Sequence, residues 1–118
     1  MRINNKAKIA TRAMIFLAKA KASAPTSLGD VATRQGQSLS YLEQIFAQLR
    51  KAGLVESVRG PGGGYKITSL ETSVSDIVLA ITGELPEPEA LPEDQKWADI
   101  SQRTHAGLKN ITLADLII

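Results

Sequence analysis

Cysteine is absent from this 118-residue chain, which excludes disulfides, thiolate catalysis and cysteine-held metal or iron–sulfur centres. A single histidine leaves too few of the usual ligands for a zinc site. Aromatic residues make up 4% of the chain, too few for a surface that stacks unpaired bases, which argues against single-stranded RNA as a partner. No run approaches about 18 consecutive apolar residues, so no transmembrane helix is expected. The N-terminus is charged and lacks an apolar h-region, so no secretory signal is expected and the cytoplasm is the natural compartment. No nucleophile–base pair or paired-carboxylate set stands out, and no enzyme is expected.

Charge is unevenly placed. The net charge is only +2, yet residues 1–66 carry 11 Lys and Arg against Asp30, Glu43 and Glu56, whereas residues 67–118 carry 3 basic against 9 acidic residues. The halves are therefore +8 and −6. A basic half points to a polyanionic partner, and the acidic half to a region that does not touch it.

The stretch Ser38–Tyr65 carries the most information. Ser38 is an N-cap candidate, and Leu39, Leu42, Ile45, Phe46 and Leu49 recur at helical spacing as one apolar face. The opposite face presents Ser40, Tyr41, Glu43, Gln44, Gln48 and Lys51, with Arg50 beside the last. Gly53 suits the left-handed residue that ends a helix. Hydroxyl, carboxylate and amide groups on the first turns are those that read base edges in a major groove, although an ordinary surface helix has a similar composition. Leu54, Val55 and Val58 then suit a strand, and Tyr65, Ile67 and Thr68 its antiparallel return. Between them lies Arg59-Gly60-Pro61-Gly62-Gly63-Gly64. One Arg on a narrow hairpin has the shape and charge to enter a minor groove. A plain hairpin is the simpler alternative. A nucleotide-phosphate loop is excluded, because no Gly-Lys-Ser/Thr follows.

In chain order, Asn4 or Asn5 can cap a helix to about Lys21 with Ile9, Ala13, Phe16, Leu17 and Ala20 inside. Lys6, Lys8 and Arg12 cluster near its start, within reach of duplex phosphates or simply solvated. Ala24-Pro25-Thr26 breaks the helix. Ser27 and Asp30 have capping-box form and open a short helix that ends near Gly36. Two short helices across a Gly-containing turn make a helix-turn-helix. Ser73 and Asp76 cap another helix, with Val74, Ile77, Val78 and Ile81 inside. Residues 83–96 hold three prolines and five acidic residues and read as a linker rather than a packed element. Trp97, Ile100, Thr104, Leu108 and Ile111 recur at three- and four-residue steps, predicting a helix from about Lys96 to Lys109. Thr112 and Asp115 begin a final turn. An apolar helix beyond a linker suits dimerisation, and packing on the chain's own core is the alternative.

With Leu39-Ser40-Tyr41-Leu42-Glu43-Gln44, Leu49–Val55 and Ser57–Tyr65 in view, the chain resembles the IscR/NsrR family of bacterial winged-helix transcription regulators. Met1-Arg2-Ile3 and Asn110–Leu116 fit too, so the resemblance spans nearly the whole chain. It implies a homodimer joined through the helix after the linker, a recognition helix with Ser40, Tyr41, Glu43 and Gln44 on DNA, and Arg59 in a minor groove. Many such regulators hold an iron–sulfur cluster on three cysteines and a further ligand, often His. Here the corresponding linker has no cysteine, Asp94 falls near the position of the His, and His105 lies within the expected dimer helix. The DNA-binding half of the resemblance carries over, and the cluster does not.

The fold expected is mainly α with a small β-hairpin. Residues 1–83 form a winged helix-turn-helix domain, 84–95 a Pro/Glu-rich linker, and 96–118 a dimerisation helix and C-terminal turn. The function expected is a homodimeric, sequence-specific regulator of transcription, a repressor, without metal or cofactor. Double-stranded DNA with an imperfect palindromic operator is the partner. Its contacts are Arg2, Lys6, Ser38, Ser40, Tyr41, Glu43, Gln44, Arg50, Lys51 and the wing Arg59, Gly60, Pro61, Gly62, Gly63, Gly64 and Tyr65. Trp97, Ile100, Thr104, Leu108 and Ile111 serve dimerisation. The alternative is a regulatory subunit that uses the winged fold to bind a protein partner, such as a biosynthetic enzyme.

Overall fold

The computed structural model describes residues 5–20, 24–83 and 106–117. Helix α1 spans Asn5–Lys19, α2 Leu28–Gln35 and α3 Leu39–Lys51. Strands β1 (Val55–Val58) and β2 (Gly64–Ile67) follow, then α4 (Val74–Thr82) and a last turn, α5 (Leu113–Leu116). Residues 106–109 are also helical. The mainly helical class with one two-stranded antiparallel hairpin is as the pattern predicts.

Helices α2, α3 and α4 each start where a side chain satisfies an orphan amide. Ser27 and Ser38 accept from Asp30 N and Tyr41 N at 3.2 and 3.1 Å. Ser73 and Asp76 complete a reciprocal capping box at 3.1 and 2.9 Å, each half satisfying one of the first-turn donors. The C-terminus of α3 closes as expected at Gly53, whose φ is 78°. The Leu54 amide then reaches back to Leu49 O at 3.0 Å and the Gly53 amide to Arg50 O at 2.9 Å. That cap turns the chain directly into β1.

One core gathers the inner faces. It contains Ala7, Ile9, Ala10, Ala13, Met14 and Leu17 of α1, Val31 of α2, and Leu42, Ile45, Phe46 and Leu49 of α3. Val55, Val74, Ile77, Val78, Ile81 and Leu113 complete it. Each fully buried large side chain contributes on the order of 1.5–3 kcal/mol. Phe16, expected inside, is only half-buried. Leu39, also expected on the buried face, is 47% exposed in the first turn of α3.

The end of the chain differs from the expectation of a separate unit. Thr112 bridges Ser73. Val74 N donates to Ile111 O at 2.9 Å, Leu113 N to Thr72 O at 2.9 Å and Ala114 N to Leu70 O at 3.1 Å. Leu113 is fully buried in the common core. The C-terminal turn therefore belongs to the winged domain, since an apolar side chain here is anchored by backbone pairing on both sides. Trp97, Ile100 and Thr104, together with the linker 84–95, lie outside the described residues.

Candidate nucleic-acid interface

Burying Leu42, Ile45, Phe46 and Leu49 fixes which side of α3 faces outward. Ser40, Glu43, Gln44 and Ala47 are all exposed and fall at the i, i+3, i+4, i+7 spacing of a single stripe. Arg50 and Lys51 continue it, exposed, at the C-terminal end. Among the described residues, none of these side chains makes an ion pair. A stripe with a hydroxyl, a carboxylate, an amide and then two cations combines base-edge donors and acceptors with phosphate-binding charge.

Three of the residues expected on this face are used differently. Tyr41 is half-buried and packs on the core edge, leaving only part of its ring outward. The Ser38 hydroxyl oxygen caps the helix, which commits one of its two lone pairs to Tyr41 N. Gln48 turns toward α4, where its Nε2 donates to Ile81 O at 3.5 Å. Ala47 was not singled out by the sequence reading, and Leu39, exposed here, was expected on the buried face. An alanine at i+7 of a polar stripe was a legible signal, because a small apolar side chain admits close approach and suits a thymine methyl.

The wing follows without a break. Val55 pairs Ile67, Glu56 pairs Lys66, Ser57 pairs Tyr65 and Val58 pairs Gly64. Lys66 and Glu56 lie 3.9 Å apart across the strands and are partly exposed, a pair worth about 0–1 kcal/mol. The tip residues Arg59, Gly60, Pro61 and Gly62 are exposed, and Gly63 N closes the turn on Gly60 O at 2.9 Å. Gly63 has no room for a side chain, because a Cβ there would sit 2.3 Å from Val58 O. The tight tip thus puts backbone and one guanidinium at the surface.

Tyr65 was expected at the interface. Its ring instead stacks at a tilt on Phe46, with centroids 5.0 Å apart and planes at 53°. This contact fastens the returning strand to the recognition helix. Lys6 is half-exposed on α1, and Arg2 lies outside the described residues.

A family described as "Rrf2: Iron-dependent Transcriptional regulator" matches residues 3–118. The chain belongs to the Rrf2 family. It is 38% identical to the HTH-type transcriptional regulator IscR of Serratia proteamaculans, over 99% of this chain and 79% of that one. It is 39% identical to the IscR of Vibrio cholerae, over 100% and 76%. Among solved structures, CymR, the global cysteine regulator of B. subtilis, superposes with a TM-score of 0.92 at 34% identity, covering 99% of this chain and 96% of that one. IscR of T. potens gives 0.86 at 35% identity, covering 99% and 86%. These relatives are transcriptional regulators rather than enzymes.

The family's description names iron, and the donors of this chain do not fit a thiolate-held cluster: it has no cysteine and one histidine. Among the described residues, no group of three or more His, Asp or Glu is placed to hold a metal ion.

Proposed function

We propose that this Rrf2 regulator binds double-stranded DNA as a homodimer in the cytoplasm, represses transcription, and does so without a cluster of its own. The observation that carries the DNA reading is the stripe Ser40, Glu43, Gln44, Ala47, Arg50 and Lys51, held outward by the four buried side chains on the other side of α3. A helix with this face suits the major groove, and the wing with Arg59 at its tip suits the adjacent minor groove. The basic N-terminal half supplies the phosphate-binding charge.

Dimerisation through the stripe that begins at Trp97 remains part of the proposal, with one change. Leu108 packs on the chain's own core, whereas Ile111 is 38% exposed. Leu79 of α4 is 43% exposed as well. These exposed apolar side chains support an intermolecular role for this part of the chain. A two-fold dimer places its recognition helices on half-sites about one helical turn apart, roughly 34–36 Å, so the operator is an imperfect palindrome.

Selection from random duplexes, followed by titration of the selected site at physiological salt, tests this reading. A palindromic motif bound by two chains is the expected result. Binding that shows no sequence preference and falls with salt alone would reduce the protein to a non-specific polycation.

A further inference from the structure

Between α1 and α2 lies an open cleft of about 400 Å³ lined by Arg12, Ile15, Phe16, Lys19, Arg34 and Gln35. Three of the six are cations and none is acidic. Asp30, one turn before Arg34 on α2, is not among them. The Arg34 guanidinium lies over the Phe16 ring, 6.0 Å from its centroid, which orients its planar donor fork. The Gln35 Oε1 is buried and has no hydrogen-bond partner among the described residues.

We propose that this cleft is a binding site for a small organic carboxylate that carries a flat apolar body. The carboxylate meets Arg12 and Arg34, a planar match that allows paired charge-assisted hydrogen bonds. The apolar body covers Ile15 and Phe16. The volume is within the usual range for small-molecule sites, about 300–1,000 Å³. A DNA backbone accounts for the cations alone. Phosphate brings no apolar body to cover Ile15 and Phe16. The combination of charge and apolar floor therefore favours a compact ligand over duplex phosphates.

The test uses the full chain and no DNA, so its outcome is independent of the proposed operator binding. ¹⁵N-labelled protein is titrated with indole-3-acetate, which has both features, and with tryptamine, which keeps the ring but reverses the charge. Indole-3-acetate is expected to give saturable shifts confined to the Arg12–Lys19 and Arg34–Gln35 amides, and tryptamine none. Arg34→Gln is expected to weaken the interaction about tenfold, the loss of one charge-assisted contact. Arg12→Gln, judged by the same titration, serves if the first variant fails to fold. No saturable shift at millimolar indole-3-acetate, an equal response to tryptamine, shifts confined to the α3 face, or unchanged binding in a folded Arg variant each overturns the site.

Discussion

The backbones of Thr26 and Tyr65 exchange two hydrogen bonds, each 2.8 Å long, so the segment before α2 adds a one-residue strand to the base of the wing. Through Tyr65 the same contact reaches the Phe46 ring. The wing is thus tied to the helix-turn-helix at two points, because its residue Tyr65 is held by its backbone to the segment before α2 and by its ring to α3.

This close approach depends on Gly64. A Cβ at that position would lie 2.2 Å from Thr26 O, and neither backbone can yield without breaking the pair. Gly64→Ala is expected to destabilise the domain by about 1–3 kcal/mol, the usual cost of overpacking. Gly29→Ala is the contrast. Its Cβ would meet only Ser27 Oγ at 3.9 Å, and helix preference should make it neutral or stabilising by up to about 1 kcal/mol. Denaturant midpoints with unchanged m-values would establish both; equal midpoints would refute the packing argument.

Arg59→Ala is expected to weaken operator binding and to flatten any preference for a narrow, A·T-rich minor groove. Arg59 is exposed at the tip and is the only basic side chain between Lys51 and Lys66, while Lys66 is placed near Glu56. The expected loss is about 1–3 kcal/mol, the range for a specific contact. Affinities for operators of differing groove width decide the matter, and identical values for both proteins would remove Arg59 from the groove.

Glu43 is the sharpest specificity prediction. It is exposed between Ser40 and Ala47 and makes no ion pair among the described residues. A carboxylate facing DNA repels phosphate, and is tolerable only where it accepts from cytosine or excludes other sequences. Glu43→Ala should broaden the selected motif and tighten non-specific binding. Recovery of the same motif by both proteins would show that Glu43 faces solvent.

Much of the site was legible because burial dictates it. Four apolar residues at helical spacing fix the outward face of α3, and Gly-Pro-Gly punctuation fixes the wing. What escaped the sequence depends on neighbours distant along the chain. Gln48 has the composition of a surface residue, but α4 supplies it with a carbonyl. The contact of Tyr65 with Phe46 joins residues 19 positions apart and leaves no local pattern. Thr26 read as part of a helix break, because a one-residue strand has no periodicity to detect.

The C-terminal turn was misread for a related reason, since an apolar helix tail serves a second copy or its own core equally well. Leu113 is fully buried, so Leu113→Ala should cost about 2–5 kcal/mol. Removing residues 96–118 should consequently lower the thermal midpoint of the domain instead of yielding a stable monomer. A truncated chain that melts like the full one would mean that Leu113 contributes little.

The final prediction concerns iron, which the family's description names. Iron–sulfur clusters are held by soft, deprotonated ligands at fixed distances, ordinarily thiolates. This chain has no cysteine, and carboxylates are hard donors better matched to magnesium or calcium. Purified without oxygen after growth with added iron, the protein should be colourless and contain no stoichiometric iron or sulfide. Its operator affinity should be the same in air, under anaerobic conditions and with chelator. Expression level, a partner protein or a ligand in the α1–α2 cleft then provides control, and the cleft makes one of these separable. If operator affinity responds to indole-3-acetate in the wild type but not in Arg34→Gln, switching has moved from a metal to an organic anion. Stoichiometric iron and sulfide that alter operator affinity would instead show that this chain holds a cluster through ligands other than cysteine.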